Sequence, residues 1–150
     1  MAMDIRDALA QAAQSPEGLD QAGLTAVNDS LGGLDSTLGI RYTHIGPSSV
    51  MAEITVTEQH LQPAGLVNGG LYCALAESVG SLAGMVAAAS PVVGVNNNTD
   101  FISSVSSGVI TAEATPIQLG RRTQLWQILM THQDKVVARS TLRTMPVRSH

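Results

Sequence analysis

Residues 62–89, QPAGLVNGGLYCALAESVGSLAGMVAAA, form the stretch of this chain that decides its fold. Residues 69–89 are apolar enough to pass for a membrane span, but they carry Glu77 at their middle. An isolated carboxylate is costly in lipid, so we predict the buried helix of a soluble domain and no membrane span. The large apolar residues form one helical stripe that predicts packing on a sheet: Leu71, Leu75, Val79, Leu82 and Val86.

A second stripe of this helix consists of small residues and contains Glu77, the only ionisable residue of the helix. Glu77 follows Gly69 and Cys73 at helical spacing and precedes Ser81 and Gly84. Such a face allows another helix, a backbone or a ligand to approach closely. Glu77 either reaches solvent or a distant arginine, or it serves as a general base or nucleophile tuned by burial. The helix alone leaves both interpretations open.

The start of the helix favours a functional interpretation. Asn68 is a good N-cap residue, and Gly69 and Gly70 open the first turn with unhindered N–H groups. Such amides polarise a carbonyl oxygen and stabilise an oxyanion, although the glycines also fit simple tight packing. Glu77 lies about 12 Å of axial rise beyond Gly69. That distance is too long for one subunit's pair to flank a single carbonyl carbon, so a shared site requires a dimer.

The sequence on either side of the helix is extended. Residues 39–57 predict a β-hairpin with a turn at residues 46–49 and with Val50, Ala52, Ile54 and Val56 on one buried face. Four further strands are predicted, which short turns would join into an antiparallel meander: residues 92–105, 109–119, 121–132 and 136–147.

These elements define the fold class. The helix must lie across one face of an antiparallel sheet, which is an α+β arrangement. We assign residues 1–33 to an N-terminal extension that is partly helical, and residues 34–150 to a single domain.

Composition indicates an oligomer. Only 13% of the 150 residues are charged, against about 25% in a typical domain, so part of the surface is expected to be an interface. The net charge of −4 argues against binding of nucleic acid through phosphate neutralisation.

The charges are also unevenly placed, because residues 101–150 hold six bases and two acids. This favours a small anionic ligand, with solvated charges at strand edges as the alternative. The single cysteine, Cys73, is compatible with a reducing cytoplasm, where we expect the protein to reside. The four histidines show no recognised zinc spacing, so no metal is expected.

The motif Gln62-Pro63-x-Gly65-(x)3-Gly69-Gly70, with Glu77-Ser78 on the helix, VVGVNNNTDF at 92–101 and GRRTQLWQI at 120–128, resembles the hotdog-fold acyl-CoA thioesterases. The nearest resemblance is to the PaaI-type branch, with the hydroxybenzoyl-CoA and dihydroxynaphthoyl-CoA thioesterases, and it covers residues 34–147. It implies a hotdog fold, in which an antiparallel β-sheet wraps around one long central helix. It also implies homodimers that share a continuous sheet, active sites at the dimer interface, and pairing of dimers into homotetramers.

The resemblance also implies roles for individual residues. Glu77 matches the catalytic carboxylate, acting as nucleophile or as general base on water, and the Gly69 amide matches the donor that polarises the thioester carbonyl. Gln62 matches a loop glutamine near the reaction centre, and Ser81 a helix hydroxyl that helps to hold the water. Gly120, Arg121 and Arg122 match positions that often contact the CoA phosphates. From the residues themselves we also place Gly70 and Asn98 at the substrate, although the polarity of residues 96–98 also fits an ordinary strand.

One position departs from the family pattern. The residue before the two glycines is commonly His, and here it is Asn68. Asparagine can cap the helix and donate a hydrogen bond, but it is neither an acid nor a base near neutral pH.

The predicted function is therefore hydrolysis of an acyl-CoA thioester, with the thioester as substrate and without a cofactor. Two alternatives remain: a hotdog protein that binds acyl-CoA without turning it over, and a hotdog hydratase or dehydratase that would use His60.

Overall fold

The computed structural model describes residues 4–148. Three short helices precede the sheet, and one long helix interrupts it. In chain order the elements are α1 (Ile5–Gln14), α2 (Gln21–Asp29), α3 (Gly33–Leu38), β1 (Arg41–Ile45), β2 (Val50–Thr55), a 3-10 turn (Glu58–His60), α4 (Gly69–Ala88), β3 (Val92–Phe101), β4 (Val109–Leu119), β5 (Gln124–His132) and β6 (Lys135–Pro146).

The six strands form one antiparallel sheet in the order β1-β2-β4-β5-β6-β3. The predicted hairpin is confirmed as β1 and β2, and the alternate β2 residues Val50, Ala52 and Ile54 are fully buried. One long helix against an antiparallel sheet confirms the α+β class.

The predicted four-strand meander is wrong at its first strand. Only β4, β5 and β6 follow one another in the sheet, whereas β3 pairs with β6 at the far edge and β2 takes the place beside β4. Strand β3 ends at Phe101, so residues 102–105, predicted as the end of this strand, and the predicted turn after them instead form a crossover. Val105 in this segment is buried and accepts a hydrogen bond from the Val67 N–H (2.8 Å), which ties the crossover to the loop before α4.

Helix α4 packs across the sheet through the predicted apolar stripe. Leu75 and Val79 are fully buried, as are Ile128 and Met130 of β5. Among the described residues α4 is the one helix long and apolar enough to span a membrane. Its apolar stripe is instead covered by the sheet, so the prediction of a central core helix is confirmed.

The N-terminal helices cover one edge of this sheet. The Asn28 side chain of α2 accepts from the Tyr42 N–H (2.8 Å) and donates to the Tyr42 carbonyl (2.9 Å), as a neighbouring strand would. The Leu19 N–H donates to the Ile45 carbonyl (2.8 Å) in the same region. Edge strand β1 is thus partly capped, while the outer edge of β3 has no strand partner among the described residues.

Candidate active site

Helix α4 begins at an exposed cap. The Asn68 Oδ1 accepts a hydrogen bond from the Gly70 N–H (2.7 Å), as the predicted N-cap requires. The Gly70 amide is therefore occupied by the cap. Gly69 is the first residue of the helix, where an N–H has no acceptor within the helix. Of the two amides considered from the sequence, that of Gly69 remains available to a ligand.

The available amide lies at a groove of about 410 Å³. We call it the amide groove and define it by Gln62, Asn68, Gly69, Tyr72, Phe101 and Ile102. Two hydrogen bonds hold Gln62 in place. Its side-chain Oε1 accepts from the Ala64 N–H (3.1 Å), and its backbone N–H donates to the Leu66 carbonyl (2.7 Å). Three residues predicted from one sequence motif, Gln62, Asn68 and Gly69, therefore share one groove.

The aromatic wall of the amide groove was not predicted. Phe101, the last residue of β3, is 59% exposed, and a Cβ at Gly69 would lie 2.6 Å from its Cζ. The Tyr72 ring is 6.1 Å from the Phe101 ring, centroid to centroid, with a tilt of 40°. The one signal in the sequence was that Phe101 is the chain's only phenylalanine, and only the strand order brings it to the start of α4.

Glu77 occupies a different place on α4. It does not line the amide groove, and its partly exposed carboxylate lies against Gly94 of β3, where a Cβ would collide with Oε1. The β3–β6 register shifts between Gly94 and Asn96, and such an irregularity can redirect a strand locally. Ser81, one turn after Glu77, is partly buried. One subunit thus keeps Glu77 and Ser81 apart from the groove that holds Gly69.

A second groove contains part of the predicted phosphate-binding set. It has a volume of about 390 Å³, and we call it the arginine groove, defined by Ala88, Leu119, Gly120, Arg121, Gln124 and Arg148. Arg122 is exposed on the same turn but is not among its lining residues. Arg148 joins the groove from the C-terminal segment and donates from Nη2 to the Arg121 carbonyl (3.4 Å).

Asn98 is placed apart from both grooves. It is exposed on β3 opposite Thr141 of β6. Its neighbour Asn97 turns inward, and the Asn97 Nδ2 donates to the Cys73 carbonyl of α4 (2.9 Å). The asparagine that contacts the helix is therefore structural.

His60 is occupied by structural hydrogen bonds. It is buried, its Nδ1 accepts from the Thr57 N–H (3.0 Å), and its Nε2 lies 2.9 Å from the Leu38 carbonyl, to which it donates. With both nitrogens engaged, His60 has no free position for acid–base work, which removes support for a hydratase. Between residues 4 and 148 no cluster of three or more His, Cys, Asp or Glu side chains could hold a metal ion.

The two tyrosines differ in their partners. Burial, followed by the nearby Asp35 carboxylate, raises the pKa of Tyr42, whose hydroxyl donates to Asp35 Oδ2 (3.4 Å). Burial also raises the pKa of Tyr72. Both hydroxyls therefore stay protonated near neutral pH and can donate hydrogen bonds.

Comparison with known proteins links this geometry to a family. The family model described as thioesterase superfamily matches residues 64–138. A Mycobacterium tuberculosis (strain CDC 1551) protein named as a candidate esterase is 44% identical over 115 residues, or 73% of this chain and 82% of that protein.

Two further relatives carry more specific names. The 1,4-dihydroxy-2-naphthoyl-CoA hydrolase of Escherichia coli (strain K12) is 37% identical over 99 residues, which cover 65% of this chain and 73% of that enzyme. The solved structure of a thioesterase from Haemophilus influenzae matches with a TM-score of 0.77 and 35% identity, covering 89% of this chain and 96% of that chain.

Proposed function

The chain belongs to the thioesterase superfamily, and from that premise we propose that it hydrolyses an acyl-CoA thioester to a free acid and CoA. The observation that carries the proposal is the Gly69 amide, which is available at the start of α4 in a groove that Gln62 also lines. Glu77, the only carboxylate of the same helix, supplies the base or nucleophile.

The amide groove supplies stabilisation of negative charge. When water or a carboxylate attacks a thioester, the carbonyl oxygen becomes an oxyanion. The Gly69 N–H and the positive end of the α4 dipole stabilise that oxygen more strongly in the transition state than in the substrate. Gln62 holds the substrate next to it, and Asn68 contributes by fixing the cap through Gly70.

Glu77 performs the chemistry on the other side of the carbonyl carbon. It activates a water that Ser81 helps to hold, and the C–S bond breaks to release CoA and the acid. Alternatively, it attacks the carbonyl carbon itself, which expels CoA and leaves an acyl anhydride on Glu77 that water then hydrolyses to the free acid. Either route uses only a carboxylate and water, so the proposed reaction needs no cofactor or metal, and the CoA thioester is the substrate.

A homodimer brings the two parts together. In a twofold antiparallel pair of β3 strands, a residue near the start of one strand faces a residue near the end of the other. Glu77 lies against Gly94 near the start of β3, and Phe101 of the amide groove is its last residue. Pairing through the open β3 edge therefore carries Glu77 of one subunit toward the amide groove of the other. We propose a homodimer of this kind, with pairs of dimers as homotetramers.

The arginine groove supplies a place for the CoA phosphates. Arg121 and Arg148 line it together with Gly120, and Arg122 stands exposed beside it. Guanidinium groups bind phosphate through charge-assisted hydrogen bonds. A location in the cytoplasm remains our expectation.

Release of free thiol from a panel of acyl-CoA esters tests this proposal. We expect turnover by the wild type, and a fall in kcat of about 100-fold or more in Glu77→Gln with little change in KM, since the variant keeps its shape and loses its base. Glu113→Gln, an exposed carboxylate on β4, is the matched control and should keep full activity. If the wild type binds acyl-CoA without releasing thiol, the protein is a binding protein and the proposal fails.

A further inference from the structure

His60 is a buried ionisable residue that the proposed reaction does not use. It is 7% exposed, and it is the one buried histidine among the residues that the structure describes. Its Nδ1 accepts from the Thr57 N–H, so the proton of the neutral ring lies on Nε2, which donates to the Leu38 carbonyl. The two ring nitrogens thus hold His60 between the 3-10 turn and the end of α3.

The backbone of His60 forms the base of the loop that leads to α4. The His60 carbonyl accepts a hydrogen bond from the Asn68 N–H (2.9 Å). Next to this pair the loop closes on itself, because Leu61 bridges to Val67. Asn68 is also the N-cap of α4, so the place of the Gly69 amide depends on the pair that His60 makes.

The contact with α3 gives His60 a fixed partner. Helix α3 buries no residue of its own, but Asp35 in its first turn accepts from the Ser78 hydroxyl of α4 and from the Tyr42 hydroxyl. Ser78 directly follows Glu77. One connected path through α3 and His60 therefore joins the middle of α4, beside the proposed base, to the N-cap of the same helix.

We propose that His60 is a positioning residue for hydrolysis, which holds the cap of α4 and with it the Gly69 amide at the place where the oxyanion forms. His60 does not line the amide groove, so it acts through the hydrogen bonds that it makes. A catalytic group needs neighbours that are themselves fixed and that hold it within about 0.5 Å of the productive geometry. This inference rests on the proposed thioesterase function and concerns the same site.

Three substitutions separate the two hydrogen bonds of the His60 ring. A glutamine side chain carries an acceptor oxygen and a donor nitrogen on one carbon, as Nδ1 and Nε2 are carried by Cε1, and glutamine also accepts the corresponding backbone bond in capping boxes. His60→Gln therefore keeps both bonds. His60→Glu keeps the acceptor but places a second oxygen against the Leu38 carbonyl, and His60→Ala loses both bonds.

Steady-state kinetics on one acyl-CoA should follow this order. We expect kcat to fall about 10- to 100-fold in His60→Glu and His60→Ala, because a misplacement of about 1 Å is enough to cost that much. His60→Gln should stay within about threefold of the wild type, since both bonds are kept. KM should change by less than about threefold in every variant, because an oxyanion contact acts mainly in the transition state.

NMR of the backbone amides gives a readout that does not need turnover. The Gly69 and Gly70 signals of His60→Gln should match those of the wild type, whereas both should shift in His60→Glu and His60→Ala. In these two variants the Asn68 amide proton should also exchange with solvent about tenfold faster or more, because its bond to the carbonyl of residue 60 opens more often.

Asn28→Ala is the matched control for stability. It also removes two hydrogen bonds between a side chain and the backbone, but at strand β1 and not at the loop before α4. We expect it to lower the melting temperature and to leave kcat and the two glycine signals unchanged. If His60→Ala does not fold, the comparison of His60→Gln with His60→Glu carries the same test.

The outcomes separate the two proposals. If the loss of both bonds leaves kcat and the glycine signals unchanged, or if His60→Gln is impaired as much as His60→Ala, the role of His60 is wrong and the thioesterase function stands. A similar loss of kcat in Asn28→Ala would show that reduced stability alone lowers activity, which also overturns the proposal. If the wild type hydrolyses no thioester, the thioesterase function fails, and the glycine signals decide whether His60 positions the cap.

Discussion

Gly69 and Gly94 each preserve a space that a methyl group would fill. A Cβ at Gly69 would meet the Phe101 ring, and a Cβ at Gly94 would meet the Glu77 carboxylate. The first glycine lets an aromatic wall stand close to the available amide. The second lets a charged group lie against a strand of the sheet, so Gly94 acts as a positioning residue for Glu77.

Gly94→Ala should displace the Glu77 carboxylate. We expect kcat to fall about 10- to 100-fold, because a misplacement of about 1 Å is enough to cost that much, while KM changes little since the amide groove is untouched. Gly32→Ala is the control, because a Cβ at Gly32 meets no atom within 4 Å. Steady-state kinetics on one acyl-CoA decide the matter, and an unchanged kcat in Gly94→Ala would remove the positioning role.

If the arginine groove binds the nucleotide phosphates of CoA, its arginines should affect only substrates that carry those phosphates. Arg121→Ala and Arg148→Ala should each raise KM for CoA esters about 5- to 20-fold, as expected for loss of a charge-assisted hydrogen bond. They should leave pantetheine esters, which lack the nucleotide phosphates, nearly unaffected. Measuring both ester series in each variant gives the comparison, with Arg41→Ala, in the distant β1, as control. An equal rise of KM for both series would contradict phosphate binding at this groove.

The groove residues that could be predicted from the sequence are those that belong to one local motif. Gln62, Asn68 and Gly69 lie within eight residues of one another, so the loop and the first turn of α4 bring them into one groove. Phe101 and Arg148 come from segments distant in sequence. Their place at a groove depends on sheet order and chain path, which local propensity does not encode.

Helices and strands show the same dependence: those with local sequence signals are predictable, and their order in the sheet is not. Helix α4 and the β1–β2 hairpin were predictable because their periodicity and turn signals are local. The place of β3 was not, because a seven-residue connection fits either a loop between neighbours or a crossover to the opposite edge. In the structure Val105 is buried and its carbonyl accepts a hydrogen bond from the Val67 N–H, which holds this connection beside the loop before α4.

The two edge strands of the sheet differ in whether their outer backbone groups have hydrogen-bond partners. The Asn28 amide bonds both backbone groups of Tyr42 on edge strand β1, whereas β3 offers an open edge. An exposed strand edge invites pairing with another chain. Capping β1 directs such pairing to β3.

Asn28→Ala should therefore destabilise the fold and leave the Tyr42 backbone groups on edge strand β1 without a partner. We expect a loss of about 1–3 kcal/mol in the free energy of unfolding, because the Tyr42 N–H and carbonyl lose their partner. Urea denaturation measures that loss. Asn28→Asp, which keeps the acceptor and loses the donor, should fall between the wild type and the alanine variant. Equal stability of all three proteins would show that the cap contributes nothing.

At the scale of the whole molecule, the shortage of charge has a structural counterpart at the open edge. Val93 and Val95 of β3 are 52% and 53% exposed, and Phe101 at the end of the strand is also exposed. Apolar side chains along an unpaired strand are typical of a surface covered by another subunit. In the proposed dimer the low charged fraction reflects an interface on β3, the strand that lies between Glu77 and the amide groove.

A shared active site predicts complementation between two inactive variants. Glu77→Gln lacks the base, and Gly69→Val blocks the amide groove because its side chain meets Phe101. Each homodimer should be inactive. If subunits reassort freely after mixing in equal amounts, half of the dimers are mixed and each of these has one intact site, so about a quarter of wild-type activity should return. Thiol release after mild denaturation and refolding together, with each variant refolded alone as control, measures the recovery. Mixtures that stay inactive, while light scattering reports the same dimers or tetramers as in the wild type, would place Glu77 and Gly69 of one site in the same subunit and refute the interface site.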